Sequence, residues 1–494
     1  MNIKSKFISK SKYINGLKCL KLLWYEYHLK AVIPDFDATT KAIMEQGHLI
    51  GWFAQKLFSE GILIERDSIP EKQSEKSLEA TKHRKPLFEA GFTFNQLYAL
   101  ADILVPVSAD SWDLIEVKSS TSIKDVYYDD IAFQKYVYEG AGLKIRKSYI
   151  MYVNNQYVRQ GDIEPEKLLT KQDITTQVNN IIPHIEVNTQ KMFQTIRAGA
   201  CPVIQIGNHC DLPYSCPLID ICQDFLPAKG SILSLHYDKN KAYNLLYEGI
   251  LKVSDIPDTN ILNPKQKIQY NTYKTGQPYI NKGKLKEFIN TLQYPLYFLD
   301  FETINPGVPA YDNTQPYKAI PFQYSLHILK DKNSSPKHHS YLALGDIDPR
   351  AEILKQLKKL LGSVGSIIAY NSSFEKRVIQ GAALAYPKYQ EWFAEIEPRI
   401  VDLMVPFREF SYHHADQEGS YSLKSILPIL TKLNYNDMEI PDGSIANIEY
   451  TRITFKEDAS KEEKERVRTS LEKYCALDTK GMIDILFELQ KLSE

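Results

Sequence analysis

Three runs early in the chain, 86–94 (PLFEAGFTF), 98–107 (YALADILVPV) and 111–120 (SWDLIEVKSS), are dense in aliphatic and aromatic residues and separated by short polar turns. That pattern predicts a strand meander. Before them the apolar positions recur at helical spacing: Leu17, Leu20, Leu22 and Leu23 within 6–30, then Ile50, Phe53, Ala54 and Leu57 within 45–58. An amphipathic stretch around Gln134 and Tyr138 and a strand at 148–153 (SYIMYV) complete a first group of elements. Strand character returns at 294–303 (YPLYFLDFET), 321–329 and 340–344. At 366–379 (SIIAYNSSFEKRVI) a strand gives way to a helix, with Asn371, Ser372 or Ser373 as its N-cap, and 461–486 is helical throughout. The series predicts an α/β chain of two domains, 1–228 and 289–494, joined by a basic helical bridge at 229–288.

Composition narrows the class. With 43% hydrophobic and 11% aromatic residues, the 494-residue chain can fill two cores. Its net charge of −1 carries no global signature of nucleic-acid binding, so a basic surface has to be local. The segment 261–286 is one candidate: six lysines, three tyrosines and no acid fit either a path for a phosphate backbone or a solvated linker. The N-terminus is basic (Lys4, Lys6, Lys10, Lys12) but lacks the apolar core of a signal peptide, and no apolar run approaches a bilayer span. These features predict a soluble, cytoplasmic protein with no membrane partner.

Six cysteines are too few for a disulfide scaffold, and four of them lie within 201–222, CPVIQIGNHCDLPYSCPLIDIC. Cys210, Cys216 and Cys222 are evenly spaced, and Pro213 and Pro217 predict a turning ligand loop that closes the first domain. Four thiolates can hold Zn²⁺ or a [4Fe–4S] cluster, with no ligand role as the remaining alternative. Zinc knuckles use closer pairs, so the five-residue gaps here favour the wider cluster. His209 is an alternative ligand.

Two carboxylates interrupt the apolar strands: Asp102 in LADILV and Glu116 in LIEVK. A buried carboxylate is costly unless it is paired or metal-bound. Asp102 and Glu116 on neighbouring strands suit a hard cation such as Mg²⁺ or Mn²⁺. Lys118, on the same face as Glu116, would position the water that attacks a phosphodiester. An ordinary surface ion pair is the plain alternative. Gln134 and Tyr138, four apart, share one helix face.

The set His48, Glu89, Asp102, Glu116-Val-Lys118 and Gln134-x-x-x-Tyr138 resembles the PD-(D/E)XK nucleases of the RecB-like branch, which includes CRISPR spacer-acquisition exonucleases and AddB. The resemblance spans about residues 10–225. It implies a restriction-endonuclease-like α/β core, metal ligation by His48, Asp102 and Glu116, and catalytic roles for Lys118, Gln134 and Tyr138. Some members hold a [4Fe–4S] cluster with one cysteine before the core and three after, which implies Cys19, Cys210, Cys216 and Cys222 as ligands and leaves Cys201 outside. Two departures stand out: Ala101, not Pro, precedes Asp102, and no cysteine pair has the common two-residue gap.

In the second half, Asp300 and Glu302 share one strand face, Glu375 lies in a first helical turn, and Tyr474 and Asp478 are one helical turn apart. Brought together, four carboxylates suit a two-metal site of Mg²⁺ or Mn²⁺, with Tyr474 orienting the water. The set resembles the DEDD 3′–5′ exonucleases in their tyrosine variant, with an RNase H-like fold, over about residues 290–490. Glu375 stands where that family usually has Asp; Asp402 and the 420–430 run (SYSLKSILPIL) add to the likeness. The layout as a whole resembles an uncharacterised bacterial family fusing these two modules. It implies a metal-dependent deoxyribonuclease acting on DNA rather than RNA in repair, recombination or defence, with repair or defence proteins as partners. The rivals are a nucleic-acid-binding or assembly subunit with decayed sites, and a chain in which only one module cuts.

Overall fold

Along the predicted meander, successive side chains do point to opposite faces. Leu87, Ala90, Leu104 and Leu114 join one core with helix residues Phe133, Val137, Ile185 and Met192. Phe88, Ile103, Ile115 and Met151 join another with Ile50, Phe53 and Leu168. A sheet buried on both faces reads as near-continuous apolar runs, which is why these strands stood out.

The computed structural model describes residues 7–345, 347–456 and 459–494; Lys4 and Lys6 of the basic N-terminus lie outside them. The chain forms two units: residues 1–223 with 306–317, and residues 224–305 with 318–494. Both are mixed α/β.

The sheet of the first unit has seven strands. Ile62–Leu63, Leu87–Phe94, Leu97–Pro106, Ser111–Lys118, Lys144–Val153 and Leu169–Asp173 lie side by side in that order, and Ile8–Ser9 pairs in parallel with the start of Leu97–Pro106. The N-terminal helical region is two helices, Lys10–Lys18 and Leu20–His28, not one. Cys19 between them is extended (φ −160°, ψ 117°), which breaks the helical run and sets its thiol at a corner. Helices Asp125–Gly140 and Thr175–Arg197 cover the same sheet face. The second of these, with Pro183 inside it, has no counterpart among the predicted elements. Tyr13 stacks on Phe133 with ring centroids 4.6 Å apart, and both rings are fully buried. Phe133→Ala is expected to destabilise this unit by about 3–5 kcal/mol in urea denaturation.

The second sheet has five strands in the order Lys337–Leu342, Ile320–Leu329, Leu296–Ile304, Ile367–Ala369, Ile400–Asp402. The first three are antiparallel and the last two join in parallel. The central strand carries the DFET sequence. The basic segment 261–286 contributes the helix Pro264–Thr275 and most of Lys282–Asn290, both within the second unit. Gln266 and Gln269 are buried there and donate to the carbonyls of His236 (3.0 Å) and Ser234 (2.7 Å). One face of this stretch is therefore structural. Among the described residues, no helix is long and apolar enough to cross a membrane.

Candidate functional sites

In the first unit the pairing of Leu97–Pro106 with Ser111–Lys118 puts Asp102 beside Glu116 and Lys118. Asp102 accepts from the backbone N–H of Val117 at 2.7 Å. Lys118 Nζ bridges Glu116 Oε1 and Asp130 Oδ2, both at 2.6 Å. Gln134 Nε2 donates to Glu116 Oε2 at 2.8 Å and to Asp130 Oδ1 at 3.1 Å, and the Tyr138 hydroxyl donates to Gln134 Oε1 at 3.4 Å. The QxxxY face of the helix thus orients the strand carboxylate. Glu89 has a left-handed backbone (φ 56°) and lies opposite Asp102, between the pairs Phe88–Ile103 and Ala90–Ala101. Burial raises the pKa of its carboxyl. His48 is exposed on the helix Ala38–Gln55. Among the described residues, His48, Glu89, Asp102 and Glu116 do not supply three ligand atoms that all lie within 4.8 Å of one another.

Two residues of this site escaped the sequence reading. Lys10 Nζ donates to Glu116 Oε1 at 2.7 Å, and Asp130 anchors Lys118. Lys10 is delivered by the short parallel pairing of Ile8–Ser9 with Leu97–Tyr98, a long-range contact with no local signal. Asp130 sits four residues before Gln134, one helical turn away, and that spacing could have flagged it. Burial opposes ionisation of Glu116, yet Lys10 and Lys118 hold its carboxyl below the ordinary value. Asp102 moves the other way: burial, with the Glu116 charge adding, raises it from 3.8 to about 7.

The cysteine loop turns as its prolines predict, with a short helix at Ile219–Gln223. Cys19, Cys210, Cys216 and Cys222 line one small cavity, together with Lys21, His209 and Leu218. Tetrahedral zinc, with Zn–S near 2.3 Å, brings its sulfurs to roughly 3.8 Å from one another. Among the described residues, no three of these thiols lie within 4.8 Å of one another. Cys201 is not among the residues lining the cavity.

In the second unit Asp300 and Glu302 project from the central strand, paired with Ser325 and Gln323. The helix Ser373–Ala385 carries Glu375 in its first turn, and Lys461–Ser493 carries Tyr474, Cys475 and Asp478. Asp402 positions the entry to the first of these helices: its Oδ1 accepts from Asn371 N at 2.9 Å, across the parallel pairing of Ala369 with Asp402. The carboxyls of Asp300, Glu302 and Glu375 all sit well above their ordinary pKa, first because they are buried and next because of neighbouring carboxylates. Burial lifts Asp478 to about 7. Glu375 is 2% exposed and its Oε2 has no hydrogen-bond partner. None of the four forms an ion pair among the described residues. A buried, repelling and partly orphaned set of oxygens is the donor set a hard divalent cation takes.

Three further residues here were missed. Cys475 Sγ lies 3.4 Å from Asp300 Oδ2, and ligand atoms of Asp300, Glu302 and Cys475 all fall within 4.8 Å of one another. Tyr435 donates a hydrogen bond to Asp478 Oδ1. Lys424 Nζ is 5.8 and 5.9 Å from the Tyr435 and Tyr474 ring centroids, and its charge favours ionisation of Glu302 and Asp478. Cys475 follows Tyr474 directly, so adjacency was an available signal; Tyr435 lies in an irregular segment and gave none.

The raised carboxyls set a pH dependence. A carboxyl whose pKa is raised on folding stabilises the fold fully below its unfolded value, near 4, and loses that contribution as pH climbs through the folded value, about 7 for Asp102 and Asp478. Glu116, lowered on folding, contributes constantly above ordinary carboxylate values. Without divalent ions the Tm is therefore expected to fall between about pH 4 and 7. Mg²⁺ or Mn²⁺ should raise it more at the upper end, as calorimetry would show.

Comparison with known proteins gives similarities but no activity. Residues 297–422 match a domain of unknown function, DUF2779. The chain is similar to an uncharacterized protein of Mycoplasma genitalium, 27% identical over 290 residues, which cover 54% of this chain and 43% of that protein. It is also similar to an uncharacterized protein of Ureaplasma parvum, 26% identical over 245 residues, covering 45% of this chain and 35% of that protein. The matched stretch spans less than half the length of these curated relatives, and residues 297–422 of this chain are similar to DUF2779.

Proposed function

We propose that the chain is a metal-dependent nuclease with two phosphodiester-hydrolysing modules, the second a 3′–5′ exonuclease with an RNase H-like fold and the first a RecB-like PD-(D/E)XK nuclease. The observation that carries this reading is the pairing of Asp300 and Glu302 ligand atoms within 4.8 Å, with the charges of Asp478 and Glu375 interacting with that of Asp300. Asp300 is half-buried, the other three are buried, and none has a balancing ion pair among the described residues. Such a cluster favours cation binding over a passive structural role, because repulsion among the acids falls when a cation is present. Divalent cations held there would supply an ionised water and charge neutralisation at the scissile phosphate. The chain's own residues do the rest. Tyr474 and Tyr435 hold Asp478 in place, and Lys424 offers a positive rim to an incoming phosphate. Glu375 reaches one methylene further than the usual Asp, and its location in a helical first turn accommodates that reach.

In the first module Asp102 and Glu116 would hold the cation, Lys118 would position the water, and Gln134 and Asp130 fix the geometry of both. Lys10 acts as a positioning residue on Glu116. The spread of Cys19, Cys210, Cys216 and Cys222 around one cavity supports a cluster of the [4Fe–4S] type over zinc. DNA is the proposed substrate, in repair, recombination or defence. A test is degradation of end-labelled oligonucleotides with Mg²⁺ or Mn²⁺. The double variant Lys118→Ala/Asp300→Ala is expected to lose it entirely, and wild-type turnover in that variant would end this reading.

A second reading has its own observation. Glu116 is engaged by two ammonium groups at once, so the first module is also suited to gripping a strand that only the second module cuts. Lys118→Ala and Asp300→Ala assayed singly separate the two: under this reading only the second removes turnover.

A further inference from the structure

The first site opens onto a pair of tyrosines that the catalytic set does not use. Tyr214 lies in the turn between Cys210 and Cys216, which Cys216 N closes by donating to Cys210 O at 2.7 Å. Its side chain is 53% exposed. Lys124 Nζ sits 4.6 Å from the Tyr214 ring centroid and 3.3 Å from its hydroxyl. The Tyr214 hydroxyl is 3.5 Å from that of Tyr127, whose ring lies 5.2 Å from Lys118 Nζ. Lys18, from the N-terminal helix, donates to the carbonyl oxygen of Tyr214. Among the described residues neither Lys18 nor Lys124 forms an ion pair with a carboxylate. A continuous line therefore runs from the proposed water-positioning lysine, through one buried and one exposed aromatic ring, to two uncompensated ammonium groups.

We propose that Tyr214, Lys124 and Lys18 form a subsite for single-stranded nucleic acid at the rim of the first site, where one unpaired base stacks on Tyr214 and the flanking phosphates meet the two lysines. The chemistry is specific to a single strand. An aromatic face takes a base only when that base is unpaired, and interleaved cations match the phosphate repeat. A double helix or a plain polyanion would use the lysines and leave the ring idle. The placement also gives the cysteine loop a role beyond stability: the turn that presents Tyr214 is flanked by two of the four thiols lining the cavity, so filling that cavity fixes the stacking ring. The subsite deepens the nuclease reading and rests on it for the identity of the strand.

The test is fluorescence anisotropy of a labelled oligonucleotide with the full-length chain in EDTA, where no turnover occurs. The probe is compared with one of equal length carrying abasic positions, in DNA and in RNA form. The intact strand should bind wild type about tenfold more tightly than the abasic one. Tyr214→Ser should erase that difference, Tyr214→Phe should keep it, and Lys124→Gln should lower the slope of log affinity against log salt by about 0.7. Preference for the DNA or the RNA probe identifies the strand, and either carries the subsite. Equal binding of intact and abasic strands by wild type, or an undiminished difference in Tyr214→Ser, overturns the subsite and leaves the nuclease reading standing. Failure of wild type to bind any strand, with no turnover in Mg²⁺ or Mn²⁺, overturns both.

Discussion

Asp300→Asn is expected to lower Mg²⁺-dependent removal of 3′ nucleotides by roughly 10³-fold while making the metal-free protein more stable. The two effects have one cause. Asp300 lies on the central strand with Glu302, within the electrostatic reach of Glu375 and Asp478, and burial together with the Asp478 charge pushes its carboxyl well above its ordinary pKa. Replacing the carboxylate by an amide of the same shape removes one partner in that repulsion, so the apo fold at neutral pH gains. It also removes an oxygen that would ligate the proposed cation, which the strand presents two residues from Glu302 on one face. Single-turnover cleavage of a 5′-labelled oligonucleotide gives the rate, and calorimetry with and without Mn²⁺ gives the stability. The Mn²⁺-induced rise in Tm should shrink in the variant. A variant that is merely misfolded would lose stability as well as rate, which is the opposite sign.

Much of this site was legible because strand alternation and helical spacing are local. Asp300 and Glu302 share a face as a period of two requires, and Glu116 and Lys118 end up 2.6 Å apart for the same reason. Gln134 and Tyr138 meet through the helical turn. What stayed hidden came from separate elements. Lys10 reaches Glu116 only because two residues at the N-terminus pair with a strand nearly ninety positions on. Tyr435 reaches Asp478 from an irregular segment, and Lys424 was overlooked inside a run noted only for its likeness to the DEDD exonucleases. The bridge hid another feature: lysines and tyrosines in 261–286 fit a path for a phosphate backbone or a solvated linker, while Gln266 and Gln269 seal one face into the second unit. The burial of that one face was not foreseen because polar residues that satisfy buried carbonyls look the same in sequence as polar residues that face water.

Cys216→Ser is expected to loosen the first unit by on the order of 5 kcal/mol while leaving the second unit intact. Cys19 breaks the N-terminal helical run, and Cys210, Cys216 and Cys222 return to the same cavity after the whole first sheet has been traversed. A group held by all four, as proposed, would tie the ends of a very long loop. Closing such a loop removes entropy from the unfolded chain, with a value that grows only slowly with length. Cys216 is buried, and its backbone N–H also closes the turn that carries Tyr214. Serine keeps that backbone bond and most of the volume, so a large loss would trace to the thiolate ligand rather than to packing. Hydrogen exchange on the full chain localises the effect. Amides of Lys10–Lys18, Leu20–His28 and 201–223 should lose protection, while those of Leu296–Ile304, in the other unit's central strand, should keep theirs. Unchanged protection at both places would mean that the four thiols share a cavity without sharing a ligand. If a bound group, and not the sulfur itself, supplies the tie, chelated wild-type protein should lose protection at the same amides as the variant.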